Sequence, residues 1–377
     1  MTKSIDLAKL GKERLELISD KTFNENEWDS MLKVCEKYPT KVSEHILSLM
    51  KECPGVAKQY LPNYSELEMV VETEKPWKGR IETGIPGTER MYGSEMIVIA
   101  SANCSSNCRA CIRRNYLNNS KEEIRLQDLG KLIEYVDKEK IKEVLITGGD
   151  PLMKPEYTLK IVDSLLKTDV KCIRIGTALL RADPERITDR FILELLLKVQ
   201  SYAKDPSFIE IASHFDHPAE FSKETIRKIR ALEEVGFKLY VQTILLKGVN
   251  DNKKTFKELA ERIRENNMEW YYLYHCVPLN GNLHLRTSVK KGFELMDSLE
   301  DHEEVTGRHP PKRYAIPLSI GKVSLDPSRI IEQERKYIWI ETRYTTDSLR
   351  GSSLPNFCRV GKKGFLEVKY LDGNDKI

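Results

Sequence analysis

The sequence lacks the features that mark membrane, fibrous or polyanion-binding proteins. It has no run of about 18 apolar residues, as a membrane-spanning helix needs, and its start has no apolar segment typical of a secretion signal. Its 20 glycines and 16 prolines among 377 residues are too few for a collagen-like or low-complexity chain. The 61 Lys and Arg and 58 Asp and Glu residues leave a net charge of +3 without long basic blocks. We therefore expect a cytoplasmic globular protein with no membrane or nucleic-acid partner.

Cysteine is also scarce, with eight residues in the whole chain. This number is far below the density of a disulfide-stapled scaffold. Three of the cysteines, however, are crowded together as Cys104, Cys108 and Cys111. In a reducing compartment such crowding indicates a metal site.

Hydrophobic periodicity divides the chain into three regions. Residues 1–90 show the spacing of amphipathic helices followed by a connector with several prolines. Residues 91–308 alternate short apolar runs with helical patterns, which indicates repeated βα units and a parallel sheet, either open or closed into a whole or partial barrel. Residues 309–377 predict a smaller β-rich extension. The predicted strands of the middle region are 95–101, 143–147, 171–176, 208–213, 238–246 and 269–275.

The three crowded cysteines form a CxxxCxxC motif directly after the first predicted strand of the βα region. Loops at the carboxyl ends of such strands are where α/β folds place their sites. A structural zinc site needs four ligands, whereas a four-iron cluster held by three cysteines leaves one iron open. The alternatives are a zinc site completed by a histidine, or three unrelated thiols. The spacing favours the iron–sulfur cluster.

A second motif, Thr147-Gly148-Gly149-Asp150-Pro151, ends the next predicted strand. Two residues without Cβ allow a ligand to approach the backbone closely. The alternative interpretation is an ordinary β-turn.

These two motifs together resemble the radical S-adenosylmethionine (radical SAM) superfamily. The segments CSSNCRACIRRNY, VLITGGDPL, IRIGT, HFDHPAEFS, VQTILLKGVND, YLYHCVPLNGNLHLRT and RYAIP further resemble the lysine 2,3-aminomutase family in their order. The resemblance implies a partial (β/α)6 TIM-like barrel with a helical N-terminal part and a small β-rich C-terminal extension. It also implies a [4Fe-4S] cluster, S-adenosylmethionine as the source of a 5′-deoxyadenosyl radical, and pyridoxal phosphate as the carrier of the substrate amino group.

The resemblance assigns roles to particular residues. Cys104, Cys108 and Cys111 would hold the cluster, and Lys322 would form the Schiff base with pyridoxal phosphate, although the loop before it is shorter than in the family and it could be an ordinary turn lysine. Arg113 would pair with the substrate carboxylate, unless it is a surface arginine. The residues implied to contact the cofactors are Gly148, Gly149, Asp150, Gln242 and Arg286, whereas His214, His217, His275 and His284 are interpreted as structural.

The substrate differs from that of the family's lysine enzymes. Val277 stands where the family has one of the two aspartates that hold the distal ammonium of lysine, and the other aspartate falls in the shortened loop. A buried ammonium without a carboxylate is costly, so free lysine is disfavoured. We expect an isomerase that acts on another amino acid or amine, with a reductant such as flavodoxin or ferredoxin as partner. A homo-oligomer is compatible with the sequence. The alternatives are a radical SAM enzyme without pyridoxal phosphate that catalyses rearrangement, elimination or epimerisation, and a non-catalytic iron–sulfur protein.

Overall fold

The structure is a computed structural model that describes residues 4–19, 22–68, 81–90, 92–300, 310–349 and 352–373. Within these ranges no helix is both long and apolar enough to cross a membrane. The helices are α1 (Lys12–Ser19), α2 (Glu25–Lys37), α3 (Glu44–Glu52), α4 (Pro54–Tyr60), α5 (Leu129–Lys138), α6 (Pro155–Leu166), α7 (Leu179–Ala182), α8 (Asp189–Ser201), α9 (Lys223–Glu234), α10 (Lys253–Glu265) and α11 (Val289–Asp297). The strands are β1 (Ser4–Asp6), β2 (Lys41–Ser43), β3 (Thr88–Glu89), β4 (Glu95–Ser101), β5 (Glu143–Gly148), β6 (Cys172–Thr177), β7 (Ile209–His214), β8 (Lys238–Leu245), β9 (Glu269–His275), β10 (Arg313–Leu318), β11 (Gly321–Ser324), β12 (Ile330–Glu334), β13 (Tyr337–Glu341), β14 (Cys358–Val360) and β15 (Leu366–Leu371).

The central element is a nine-stranded sheet in which β3 to β11 lie in chain order. Strands β4 to β10 are parallel, and β3 and β11 are antiparallel additions at the two edges. Because helices α5 to α11 separate the parallel strands, the arrangement is a series of βα repeats of the kind that builds a barrel. The prediction of an α/β partial barrel is confirmed, and all six predicted strands are present as β4 to β9.

Alternating burial along the strands shows which side of the sheet the helices cover. In β6, Ile173 and Ile175 are fully buried in the hydrophobic core, whereas the intervening Arg174 and Gly176 are only partly buried. The same alternation recurs in β5 and β8. The core side chains therefore pack against the helices, and the less buried side chains, among them Arg174, face the concave side, where a ligand can bind.

The N-terminal region, residues 4–68, forms a helical unit with its own hydrophobic core. Helix α2 begins with a capping box in which Asn24 and Glu27 bond each other's backbone N–H, and Ser43 caps α3 by accepting from the N–H of Ile46 at 3.0 Å. Strands β1 and β2 pair antiparallel across this unit. The buried core residues are Leu7, Leu15, Ile18, Phe23, Met31, Val42, Ile46, Leu47, Met50, Val56, Ala57 and Tyr60, with Ala182 of the barrel.

The region predicted as a C-terminal extension, residues 309–377, contributes to two sheets. Its first strands, β10 and β11, continue the barrel sheet, and β12 to β15 form a separate four-stranded antiparallel sheet in the order β12-β13-β15-β14. Arg286 joins the two parts by donating to the carbonyl oxygens of Cys276 at 2.7 Å and of Leu371 at 2.6 Å. The last described strand is thereby held against the carboxyl end of β9.

Candidate functional site

The cysteine motif lies on the loop after β4, at the carboxyl edge of the parallel sheet. The N-terminal region holds this loop through backbone contacts on the side away from the sheet. Asn107 donates its N–H to the carbonyl of Lys41 at 2.7 Å and accepts from the N–H of Lys41 through its side chain at 3.0 Å. Arg109 donates its N–H to the carbonyl of Gln59 at 2.7 Å. The loop conformation therefore depends on chain segments far from it in sequence.

The three cysteines are partly buried, and their thiols influence one another. Burial raises the pKa of Cys104 well above its ordinary value. The Cys108 thiol donates a hydrogen bond to Cys111, which raises the pKa of Cys108 and lowers that of Cys111. Cys111 is therefore the thiol that is most easily ionised. Within the described residues no three His, Cys, Asp or Glu side chains are close enough together to hold a single metal ion.

The glycines of the TGGDP motif lie directly beneath the cysteine loop. Gly148 has φ +143°, and a Cβ there would lie 2.1 Å from the carbonyl oxygen of Ser101. A Cβ on Gly149 would lie 2.6 Å from the carbonyl oxygen of Asn103, and the N–H of Gly149 bonds Ser101 at 2.6 Å. Larger side chains would thus push the cysteine loop away from the strand ends, which is a packing reason for both glycines.

Asp150 is buried at 2% exposure and ties the ends of β5 and β6 together. Its carboxylate accepts from the hydroxyl of Thr177 at 2.9 Å, from the N–H of Ala178 at 2.7 Å and from the N–H of Leu152 at 3.0 Å. Burial raises the pKa of Asp150 to about 6. Through these hydrogen bonds the carboxylate stabilises the edge of the sheet at which the cysteine loop lies.

A buried ionic network next to Cys108 was not anticipated from the sequence. Arg181 donates through Nη1 to the carboxylates of Asp216 at 2.7 Å and Glu220 at 3.0 Å, and to the side-chain oxygen of Gln59 at 2.9 Å. It therefore joins α4 of the N-terminal region to the loop after β7. Asp216 and Glu220 lie in the HFDHPAE segment, whose closely spaced acids were the available sequence signal.

His214 and Gln242 are neighbours in register at the carboxyl ends of β7 and β8. Burial lowers the pKa of His214 to about 3, so its imidazole is neutral at pH 7. Its Nε2 is buried without a hydrogen-bond partner among the described residues. A buried polar atom without a partner is costly, so this strand edge has an unused hydrogen-bonding group that a ligand could satisfy.

Lys322 lies in strand β11 and not in a turn. Its Nζ is 4.9 Å from the centre of the Tyr272 ring, and burial lowers its pKa. Within the described residues no carboxylate forms an ion pair with it. The backbone of Lys322 is fixed by two tyrosine hydroxyls: Tyr92 accepts from its N–H at 2.7 Å, and Tyr344 donates to its carbonyl at 2.9 Å.

The rest of this part of the concave face is aromatic and charged. The rings of Tyr272 and Tyr274 stack with centroids 4.9 Å apart. Arg174 is bound to Glu210 through Nε at 2.7 Å and lies over the ring of Tyr271. The Lys322 amine is therefore set among flat π-surfaces with a guanidinium nearby.

The two arginines after Cys111 have different surroundings. Arg113 donates to both carboxylate oxygens of Glu89, at 3.1 and 3.0 Å, and both side chains are partly exposed. Arg114 is buried and bonds Glu66 and the carbonyl of Gly281. Only Arg113 is open to the solvent side of the loop.

Several other candidate residues have structural partners. His275 bonds the hydroxyl of Tyr370 at 2.7 Å and the carbonyl of Thr287 at 3.0 Å, and His217 caps the turn after β7 by accepting from Ala219 at 3.1 Å. Arg286, for which the family resemblance implied a cofactor contact, bonds the backbone carbonyls of Cys276 and Leu371. These groups stabilise the fold around the site.

Comparisons with known proteins agree with this geometry. The family model described as the Radical SAM superfamily matches residues 98–263. L-lysine 2,3-aminomutases of Methanococcus maripaludis and Fusobacterium nucleatum are 29% and 27% identical to this chain, each over 89% of it and over 78% and 80% of their own lengths. Glutamate 2,3-aminomutase of Clostridioides difficile is 27% identical over 85% of this chain and 75% of its own. Residues 98–263 thus match the radical SAM superfamily, and the chain as a whole resembles the 2,3-aminomutases as a divergent relative.

Proposed function

We propose that this radical SAM, aminomutase-like enzyme carries pyridoxal phosphate on Lys322 and moves an amino group between neighbouring carbons of an amino acid or amine other than free lysine. The superfamily implies a [4Fe-4S] cluster and S-adenosylmethionine. The observation that carries the finer proposal is the water-shielded amine of Lys322 beside the Tyr272 ring.

The cluster is assigned to Cys104, Cys108 and Cys111. The donor set fits, because three free, partly buried thiols lie on one loop and the lowered pKa of Cys111 favours its ionised form. In a four-iron cube each thiolate bonds a different iron, so the three sulfurs need not converge on one ion. An iron without a protein thiolate would be available to S-adenosylmethionine, whose one-electron reduction would supply a 5′-deoxyadenosyl radical. The electron would come from a reductant such as flavodoxin or ferredoxin.

The S-adenosylmethionine site is proposed along the carboxyl ends of β5 to β8. Gly148 and Gly149 bring the backbone beneath the cysteine loop, where the family binds the methionine amino group, and Asp150 fixes that edge. The unpartnered Nε2 of His214 lies two strands further along, on β7, and Gln242 lies on the next strand, β8. They are suited to hydrogen-bond the polar adenosyl portion.

Lys322 has the properties of a lysine that carries pyridoxal phosphate. A lysine must lose its proton before its amine attacks a carbonyl, and burial without a paired carboxylate favours the neutral amine. The stacked rings of Tyr272 and Tyr274 offer a flat surface to an aromatic cofactor. When bound, pyridoxal phosphate supplies a π-system that lets nitrogen migrate between carbons.

Arg113 is proposed to receive the substrate carboxylate. Glu89 occupies its two terminal nitrogens and so fixes the plane of the guanidinium. The Nε–H of Arg113 makes no hydrogen bond to the described residues. The edge formed by Nε and Nη2 can therefore donate two parallel hydrogen bonds to a second carboxylate. Glu89 would then orient Arg113 without competing for that edge.

Free lysine is a poor candidate because Val277 stands where the resemblance leads one to expect a carboxylate. Val277 is 3% exposed and belongs to the hydrophobic core. A substrate ammonium at this position would meet an aliphatic side chain and pay the cost of desolvation. A substrate with a neutral or acidic distal group fits better.

The test is anaerobic purification followed by quantitation of iron, sulfide and pyridoxal. We expect four irons and one pyridoxal per chain, with the pyridoxal fixed on Lys322 by borohydride. An iron–sulfur protein that contains no pyridoxal and shows no spectral change on adding pyridoxal phosphate would contradict the proposal. That result would favour the second candidate, a radical SAM enzyme without pyridoxal phosphate, which the shortened loop before Lys322 also favours.

A further inference from the structure

A fully buried carboxylate from the N-terminal region bonds two arginines of the cysteine motif. Glu66 lies on a short 3-10 helix, Tyr64–Leu67, and is 0% exposed. Its Oε1 accepts from the Nε of Arg109 at 2.9 Å, and its Oε2 accepts from Nη2 of both Arg109 and Arg114. These arginines lie two residues before and three residues after Cys111.

The two arginines also close the segment 109–114 on itself. Nη1 of Arg114 donates to the carbonyl of Arg109 at 3.2 Å and to that of Gly281 at 2.7 Å. Nη1 of Arg109 donates to the carbonyl of Pro39 at 2.9 Å. Cys111 therefore lies within a turn whose two ends are joined by guanidinium groups.

The charges of this cluster require Glu66. Burial acts to raise the pKa of Glu66, but the charges of Arg109 and Arg114 hold it below its ordinary value, so the carboxylate is ionised. Without it, two buried cations would face each other beside Cys111 with no counter-charge. Removing one partner of a buried ion pair strongly destabilises the folded protein, because the other charge stays buried without a counter-charge. The closed form of the turn thus depends on Glu66.

We propose that Glu66 is the positioning residue for the iron–sulfur cluster: it holds the 109–114 turn in the form that directs Cys108 and Cys111 to the same cluster. This inference rests on the proposed function, because it requires the cluster to bind these cysteines. It assigns to the N-terminal region a direct part in assembling the site. Residues that support metal ligands in this way commonly change metal retention by about 10–100-fold when replaced.

The test compares wild type with E66D and R114M after anaerobic reconstitution. Aspartate keeps the charge but is one methylene too short to bond both arginines. R114M is a second variant in case E66D does not fold. It removes one cation and leaves Arg109 and Glu66 as an oppositely charged pair, so no buried charge lacks a partner. Glu89→Gln, which removes an ion pair on Arg113, is the matched control. Circular dichroism melting establishes that each protein is folded.

The readouts are the rate of iron release to a ferrous chelator and the electron paramagnetic resonance (EPR) spectrum of the reduced cluster. We expect E66D and R114M to release iron about tenfold faster than wild type and to alter the spectrum, and E89Q to resemble wild type. Folded E66D and R114M proteins with the wild-type rate and spectrum would overturn the inference alone. A wild-type protein that assembles no cluster would overturn the proposed function and the inference together.

Discussion

The amine of Lys322 lies 4.9 Å from the centre of the Tyr272 ring on the concave face of the barrel. A lysine in an exposed turn would keep a fully hydrated ammonium, whereas burial lowers the pKa of this amine. The contact is long-range in sequence and joins the edge strand β11 to the parallel strand β9. It places the Lys322 amine against an aromatic side chain of the barrel.

Lys322 is expected to be the one lysine modified by pyridoxal phosphate near neutral pH. Because its pKa is lowered from the ordinary lysine value, a larger fraction of its amine is neutral at pH 7. The exposed Lys336 offers a control. Borohydride reduction and peptide mass spectrometry should find pyridoxal on Lys322 in wild type and none in Lys322→Arg. Lys336→Arg serves as the control and should label as wild type does. Equal labelling of many surface lysines would contradict this prediction.

Arg113→Lys is expected to weaken binding of amino acids but not of the corresponding amines. A lysine ammonium cannot form the two parallel hydrogen bonds that a guanidinium makes to a carboxylate. Half-saturation of the pyridoxal spectral change should rise about tenfold for amino acids and stay constant for amines that lack the carboxylate. An equal effect on both classes would show that Arg113 does not bind the carboxylate.

Each of the three loop cysteines is expected to be required for the cluster. Cys108→Ala should lose most of its iron and sulfide after anaerobic reconstitution, because one of three ligands is missing. Cys358→Ala, in the separate C-terminal sheet, removes a thiol far from the loop in the fold and should retain the wild-type iron content. Near-wild-type iron in Cys108→Ala would show that the cluster is bound elsewhere.

Asp150 is expected to make stability fall as the pH rises. Its pKa in the folded protein is about 6, above the ordinary value of 3.8, so the folded state binds the proton more tightly. The stabilisation is complete below the unfolded value and is lost as the pH rises through about 6, with about 1 kcal/mol lost between pH 5 and 7. Anaerobic urea unfolding should show this loss in wild type and a smaller one in Asp150→Asn. An identical pH dependence in both proteins would contradict it.

Local sequence pattern was sufficient for the barrel and for the position of the cysteine loop. Each strand from β4 to β9 has its own apolar run, and a motif that follows a parallel strand must lie at the carboxyl edge of the sheet. The strand β10 was assigned to the C-terminal extension because nothing in its sequence shows which strand it pairs with. The pairing of β10 with β9 is decided by tertiary contacts and not by the local sequence of β10.

The supporting groups of the site could not be predicted, because their partners are distant in sequence. Glu66 reaches Arg109 and Arg114 only after the N-terminal region has folded onto the loop, and Arg181 collects partners from α4 and from the loop after β7. The close packing of Gly148 and Gly149 against the cysteine loop is likewise visible only in the folded structure. His214 was interpreted as structural, and its unpartnered Nε2 became evident only in the fold.

The fate of S-adenosylmethionine on the reduced, cluster-loaded protein tests the proposed radical chemistry most directly. We predict 5′-deoxyadenosine and methionine as products after addition of dithionite under anaerobic conditions, and their loss in Cys108→Ala. No 5′-deoxyadenosine from a wild-type protein shown to hold both the four-iron cluster and S-adenosylmethionine would contradict it and would favour a non-catalytic iron–sulfur protein.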